Sequence, residues 1–174
     1  MNIDNEVFDG EELLVLARID VRNEALAQAL SKLKTALSLP EYPQEVLVES
    51  ARLYSQLGLF TKAQPLYKQY LERIPGDIDA KFQLGMTLFE TGRQREAVSI
   101  WDEVMSVSEY YPPALFYKSL ALLQLRYPEP AKALLEALIA QVESDNLYVE
   151  RARKLLEAIN EGQGDLPPAD ARLQ

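Results

Sequence analysis

Residues 47–75 read LVESARLYSQLGLFTKAQPLYKQYLERIP. Leu47, Ala51 and Tyr54 fall at the three- and four-residue steps that share one helix face. Gly58 supplies a turn, because glycine adopts the left-handed backbone that ends many helices. Thr61 is placed to cap a second helix, whose apolar face carries Ala63, Leu66, Tyr67, Tyr70 and Leu71. Pro65 lies near the start of that helix, where a missing N–H costs least. Pro75-Gly76-Asp77 stops it. The stretch is therefore a helix–turn–helix unit with small residues, Ala51 and Ala63, where its helices cross.

The same unit recurs along the chain. Ala17, Ala51 and Gly85 are evenly spaced, and Ala29, Ala63 and Ala97 repeat the same interval. A fixed period of this length, about 34 residues, marks a repeat architecture. Upstream, Asp9-Gly10-Glu11-Glu12 opens a helix bearing Leu13, Leu16 and Ala17, and a second carries Leu26, Ala29, Leu30, Leu33, Ala36 and Leu37. Downstream, Leu84, Gly85 and Leu88 precede Gly92, then Ala97, Ile100, Trp101 and Val104. A fourth unit pairs Tyr117, Leu120 and Ala121 with Ala133, Leu134, Ala137 and Leu138 around a turn at Tyr127-Pro128-Glu129-Pro130. Ala121 and Ala133 keep the twelve-residue gap within a unit, but Ala121 follows Gly85 by two positions more than the period. This register places a two-residue insertion in the Ser108–Pro113 loop, where it costs little.

The expected organisation is all-α: an N-terminal arm at 1–9, units at 10–43, 44–77, 78–111 and 114–147, a capping helix at 146–160 and a disordered tail at 161–174. The last helix carries Tyr148, Ala152, Leu155 and Ile159 on one side and would cover the apolar face that stacked units leave at their end.

Composition narrows the function. The chain contains 18 Lys+Arg against 27 Asp+Glu, a formal net charge of −9, which argues against nucleic acid as a partner. Cys and His are both 0. Thiol and imidazole nucleophiles, catalytic triads and His- or Cys-ligated metal sites are thereby excluded. No metal or cofactor is expected, and no enzymatic activity. Asp102 and Glu103 are neighbours on a helix and point apart, so they are no catalytic pair. Glu11, Glu45 and Asp79 recur once per period at helix starts, where the helix dipole favours acids. The opening MNIDNEVFDG lacks the basic and apolar regions of a signal peptide, and no apolar run is long enough to cross a membrane. A cytoplasmic location without membrane insertion is the expectation.

With Leu47-x2-Ser50-Ala51-x2-Tyr54, Gly58, Ala63-x3-Tyr67 and Pro75 in one segment, and Lys81-x2-Leu84-Gly85-x2-Leu88, Gly92 and Ala97-x3-Trp101 in the next, the chain resembles the tetratricopeptide repeat family. The resemblance covers roughly residues 10–147. It implies a right-handed α-solenoid of about four repeats whose first helices line a concave groove. Carried over position by position, the groove rows are Leu14, Val48, Phe82 and Lys118; Arg18, Arg52, Met86 and Leu122; Val21, Ser55, Phe89 and Leu125; and Arg22, Gln56, Glu90 and Arg126. Chaperone-binding members hold a C-terminal carboxylate with Lys and Asn in the first two rows. Leu14, Val48 and Phe82 stand where the Lys is wanted, so that clamp is not expected. What the rows do offer is cations (Arg18, Arg22, Arg52, Lys118, Arg126) beside apolar side chains (Phe82, Met86, Phe89, Leu122, Leu125). That combination suits a peptide or helix with acidic and apolar residues. The implied role is a non-enzymatic adaptor or assembly scaffold. A dedicated chaperone for a secreted or assembling protein and a self-associating scaffold are the alternatives, the last forming a homo-oligomer.

Overall fold

The computed structural model describes residues 8–161. The expected tail from 162 onward, and the expected arm apart from Phe8 and Asp9, lie outside the described residues. Among those described are nine α-helices and no strand: α1 (Gly10–Arg22), α2 (Leu26–Leu37), α3 (Glu45–Gln56), α4 (Phe60–Arg73), α5 (Ile78–Glu90), α6 (Gln94–Val107), α7 (Pro112–Gln124), α8 (Pro128–Gln141) and α9 (Leu147–Asn160). They form two compact units that divide within α5, between Thr87 and Leu88.

One turn is used four times. Glu24, Gly58, Gly92 and Arg126, each one period after the last, hold φ of 59°, 70°, 79° and 66°. In each case the N–H of this residue donates to the carbonyl three residues back: Val21, Ser55, Phe89 and Leu123, at 3.0–3.1 Å. The next N–H donates five residues back, to Asp20, Tyr54, Leu88 and Leu122, at 2.8–2.9 Å. This pair of bonds around a left-handed residue satisfies carbonyls that a helix end leaves open. It also sets where the second helix begins. Thr61 accordingly does not cap α4, which starts at Phe60 with Leu59 before it and no side-chain cap.

The turns correct the register of the fourth unit. α6 ends at Val107 and α7 begins at Pro112, a link as long as the one between α4 and α5, so the expected insertion at 108–113 is absent. The period continues unbroken, and the small residues at the fourth crossing are Ser119 and Ala131, both fully buried. Ala133 is exposed. Ala121 is buried, but as the counterpart of Leu53 and Thr87, not of Gly85. Period and burial together start the fourth unit at 112 rather than 114.

In the first unit, Asp9 Oδ1 accepts from the N–H groups of Glu11 and Glu12, and Glu12 Oε2 accepts from Asp9 N–H, all at 2.9 Å. This reciprocal box satisfies donors that would otherwise be open at the start of α1. Leu13, Leu14, Ala17, Ala29, Leu33, Ala36, Val46 and Leu53 form its core, flanked by Leu26, Leu30, Leu37, Leu39 and Tyr42. Lys32 on α2 forms an ion pair with Asp20 on α1.

In the second unit, Phe89, Trp101, Phe116, Tyr117 and Tyr148 make a chain of ring contacts with centroids 5.6–6.4 Å apart. Edge-on and tilted rings of this spacing add to the gain from burial alone. α9 packs on α7 and α8. Its buried Val149 falls one period after Leu115, so α9 occupies the first-helix position of a further unit.

Candidate functional site

In the compact unit that ends at Thr87, α1 of the first repeat and α3 of the second bring the two predicted arginines together. Arg18 donates from Nε and Nη2 to Glu49 Oε1 at 3.1 and 3.0 Å. Arg52 Nη1 lies 3.8 Å from the same oxygen. The two arginine side chains are 47% and 49% exposed, and Glu49 is 24% exposed. Two guanidiniums thus share one carboxylate at the surface and leave a local excess of one positive charge. Leu14 and Val48 flank this cluster in sequence but are buried, Leu14 in the core. They therefore present no apolar surface there. Arg22 is exposed in the last turn of α1, and Met86 on α5 is half-buried.

Two buried hydroxyls lie on α3 and α4 of the same compact unit, Ser55 and Tyr67. The Tyr67 hydroxyl is fully buried, and neither it nor the Ser55 hydroxyl makes a hydrogen bond of good geometry among the described residues. Burial pushes the Tyr67 phenol up; the neighbouring Ser55 hydroxyl and the Arg52 charge pull it down, and Glu49 raises it again.

The rest of the predicted rows are rearranged. Phe82 and Phe89 are buried and do not form an exposed apolar strip; Phe89 belongs to the aromatic chain of the second unit. With the fourth register corrected by two residues, Lys118, Leu122, Leu125 and Arg126 do not fall one period after the predicted residues of α5. Lys118 reaches back to an ion pair with Asp102 on α6 and is only 14% exposed. Leu122 supplies the carbonyl that closes the turn, Leu125 caps α7, and Arg126 is the left-handed turn residue. Phe116, Leu120, Leu123 and Gln124 are the residues one period after Phe82, Met86, Phe89 and Glu90. Phe116 is buried, Leu120 and Leu123 are half-buried, and Gln124 is exposed and accepts from Gln94 Nε2 at 2.9 Å. Of the predicted cations, Arg18, Arg22 and Arg52 remain, and all three lie in the compact unit that ends at Thr87.

Sequence reasoning missed Glu49. It lies three residues before Arg52 on α3, a spacing at which opposite charges on a helix meet, and that was the available signal. No group of three or more metal-ligating side chains occurs among the described residues, and no described helix is long and apolar enough to cross a membrane.

A tetratricopeptide repeat model matches residues 44–77. No curated protein sequence matches the chain. Among solved structures, MamA from strain AMB-1 superposes with a TM-score of 0.75 at 20% identity, covering 85% of this chain and 81% of that one. YrrB, described as a tetratricopeptide repeat protein with an unusual peptide-binding site, gives 0.73 at 21% identity over 79% of this chain and 71% of its own. A tetratricopeptide repeat protein from Parabacteroides merdae gives 0.75 at 19% identity, covering 87% of this chain and 60% of that one. The fold is thus an all-α solenoid-class array of helix–turn–helix repeats with a C-terminal helix. A tetratricopeptide repeat is thus matched at residues 44–77, and the turn that recurs once per period and these superpositions give the described residues the fold of tetratricopeptide repeat proteins.

Proposed function

We propose that the chain is a non-enzymatic protein–protein interaction module, an adaptor or assembly scaffold, whose first unit captures an acidic, partly apolar peptide or helix through Arg18 and Arg52. One observation carries this reading: guanidiniums from two different helices converge on a single carboxylate while staying about half exposed. A geometry that holds Glu49 can hold a partner's Asp or Glu, and guanidinium recognises carboxylate by directed donors as well as by charge. YrrB's described peptide-binding site lends the reading support from the same fold.

The test is fluorescence anisotropy with a labelled amphipathic peptide bearing Leu on one face and Glu on the other, and a counterpart with Gln for Glu. The Glu peptide should bind and the Gln peptide should bind at least fivefold more weakly. Arg18→Glu with Arg52→Glu should cost the Glu peptide roughly tenfold or more, consistent with two exposed pairs of about 0.5–1 kcal/mol each turned repulsive. Equal affinity for both peptides, or indifference to the double reversal in a protein with an unchanged melting curve, would refute the reading.

A further inference from the structure

We infer that Glu49 is a built-in competitor for the partner's carboxylate, and so sets how acidic a peptide must be to be captured at Arg18 and Arg52; this rests on the reading just proposed. The pairing is asymmetric. Both donors on one edge of Arg18 are spent on Glu49 Oε1, at 3.1 and 3.0 Å. Arg52 approaches that same oxygen only to 3.8 Å, an ion pair too long for a hydrogen bond. Arg52 is therefore the guanidinium with donors to offer first, and the Nε edge of Arg18, the one suited to a two-pronged carboxylate contact, becomes available only as Glu49 yields it.

An arriving carboxylate meets two positive charges and one negative, clustered around a single oxygen. It gains from Arg52 and must displace or share Glu49 at Arg18. Glu49 is also less exposed than either arginine, so its charge is less screened by water and salt than theirs. A peptide with a single acid gains little at such a site, whereas one with two acids at helical spacing can engage both arginines. Glu49 in this role selects against weakly acidic sequences without touching the partner. Glu45, one turn earlier on α3, is the natural control: it carries the same charge on the same helix, and no ion pair among the described residues joins it to Arg18 or Arg52.

The experiment compares Glu49→Gln, Glu45→Gln and the Arg18→Glu/Arg52→Glu double reversal, using labelled Leu-faced peptides with one or two Glu residues. Melting curves are recorded for every variant. Glu49→Gln should tighten binding of the one-Glu peptide about three- to tenfold at 50 mM salt and the two-Glu peptide by less, narrowing the preference between them. The gain should shrink at 500 mM salt, where the screening length falls to roughly 4 Å. Glu45→Gln should give at most a small fraction of that gain. If Glu49→Gln leaves binding unchanged or weakens it, or if Glu45→Gln matches it, the competitor role is overturned. The capture site itself still stands in those cases, provided the double reversal weakens binding. If the double reversal has no effect, both conclusions fall together.

Discussion

Arg126 makes the same turn as Gly92, one period later: φ is 66° at the arginine and 79° at the glycine, and each is followed by an N–H that donates five residues back at 2.9 Å. An L-residue with a side chain is strained in this region by roughly 1–2 kcal/mol, and glycine is not. The backbone geometry is therefore dictated by the repeat, and the arginine tolerates it.

Arg126→Gly should relieve that strain. Part of the gain is offset by the greater chain entropy of glycine when unfolded, leaving about 0.5–1 kcal/mol. Thermal unfolding should shift up by about 1–4 °C. Gly92→Ala should move the midpoint down by a similar amount, since no neighbour within 4 Å would clash and the strain again exceeds the entropy offset. Unchanged midpoints for both variants would show that the turns bear no strain.

The register of the fourth unit is open to a paired substitution. Ala131 is fully buried where α8 meets α7, while Ala133, two residues on, is exposed. Ala131→Leu should destabilise by about 1–3 kcal/mol through overpacking, and Ala133→Leu by less than about 0.5 kcal/mol. Urea unfolding measures both, and the opposite ranking would restore the register with an insertion before α7.

At the start of α1, Gly10 sits against the α2–α3 link. A Cβ there would lie 3.0 Å from Tyr42 Cα and 3.1 Å from Pro43 Cδ. The nearest atom is backbone, so Gly10→Ala should cost about 1–2 kcal/mol despite alanine's better helix propensity. Asp9→Ala should cost about 1 kcal/mol by opening the capping box. Both are read from denaturant midpoints.

Tyr67 predicts an alkaline limit. Burial raises its pKa above the ordinary value of 10, so the unfolded chain releases this proton at a lower pH than the folded one. The contribution is fully present below about pH 10 and is lost as pH rises from there through the folded pKa. Tyr70 and Tyr148, also raised chiefly by burial, act in the same direction. Tyr67→Phe should flatten part of the loss above about pH 10. At pH 7 it should be neutral or stabilising by up to about 1 kcal/mol, because the hydroxyl it removes lacks a well-formed hydrogen bond. Stability measured against pH for the two proteins checks the sign.

Much of the fold was legible because helical burial writes itself as spacing. Ala17, Ala51 and Gly85 can be small only where two helices approach closely, and Gly58 and Gly92 mark the turns outright. The fourth unit was misread for the same reason. Ala121 and Ala133 imitate the twelve-residue pair, while the true pair includes Ser119, whose hydroxyl is silenced by donating to the Phe116 carbonyl at 2.7 Å. A serine that satisfies itself on its own helix packs as a small apolar residue. Arg126 hid the turn because nothing about an arginine announces a left-handed backbone.

Of the candidate site, Arg18 and Arg52 could be placed on one face from the period alone, since equivalent positions of repeated units share an environment. Their union through Glu49 could not, because it joins residues 31 apart on α1 and α3. Likewise Phe82 and Phe89 read as surface apolar residues until packing put them inside. The repeating unit, its length and the all-α class follow from the order of residues alone, because backbone propensity and periodic burial are local properties. Which small residue meets which helix, which arginine is paired and which aromatic is covered were settled in three dimensions, because they depend on distances between helices that no spacing along the chain encodes.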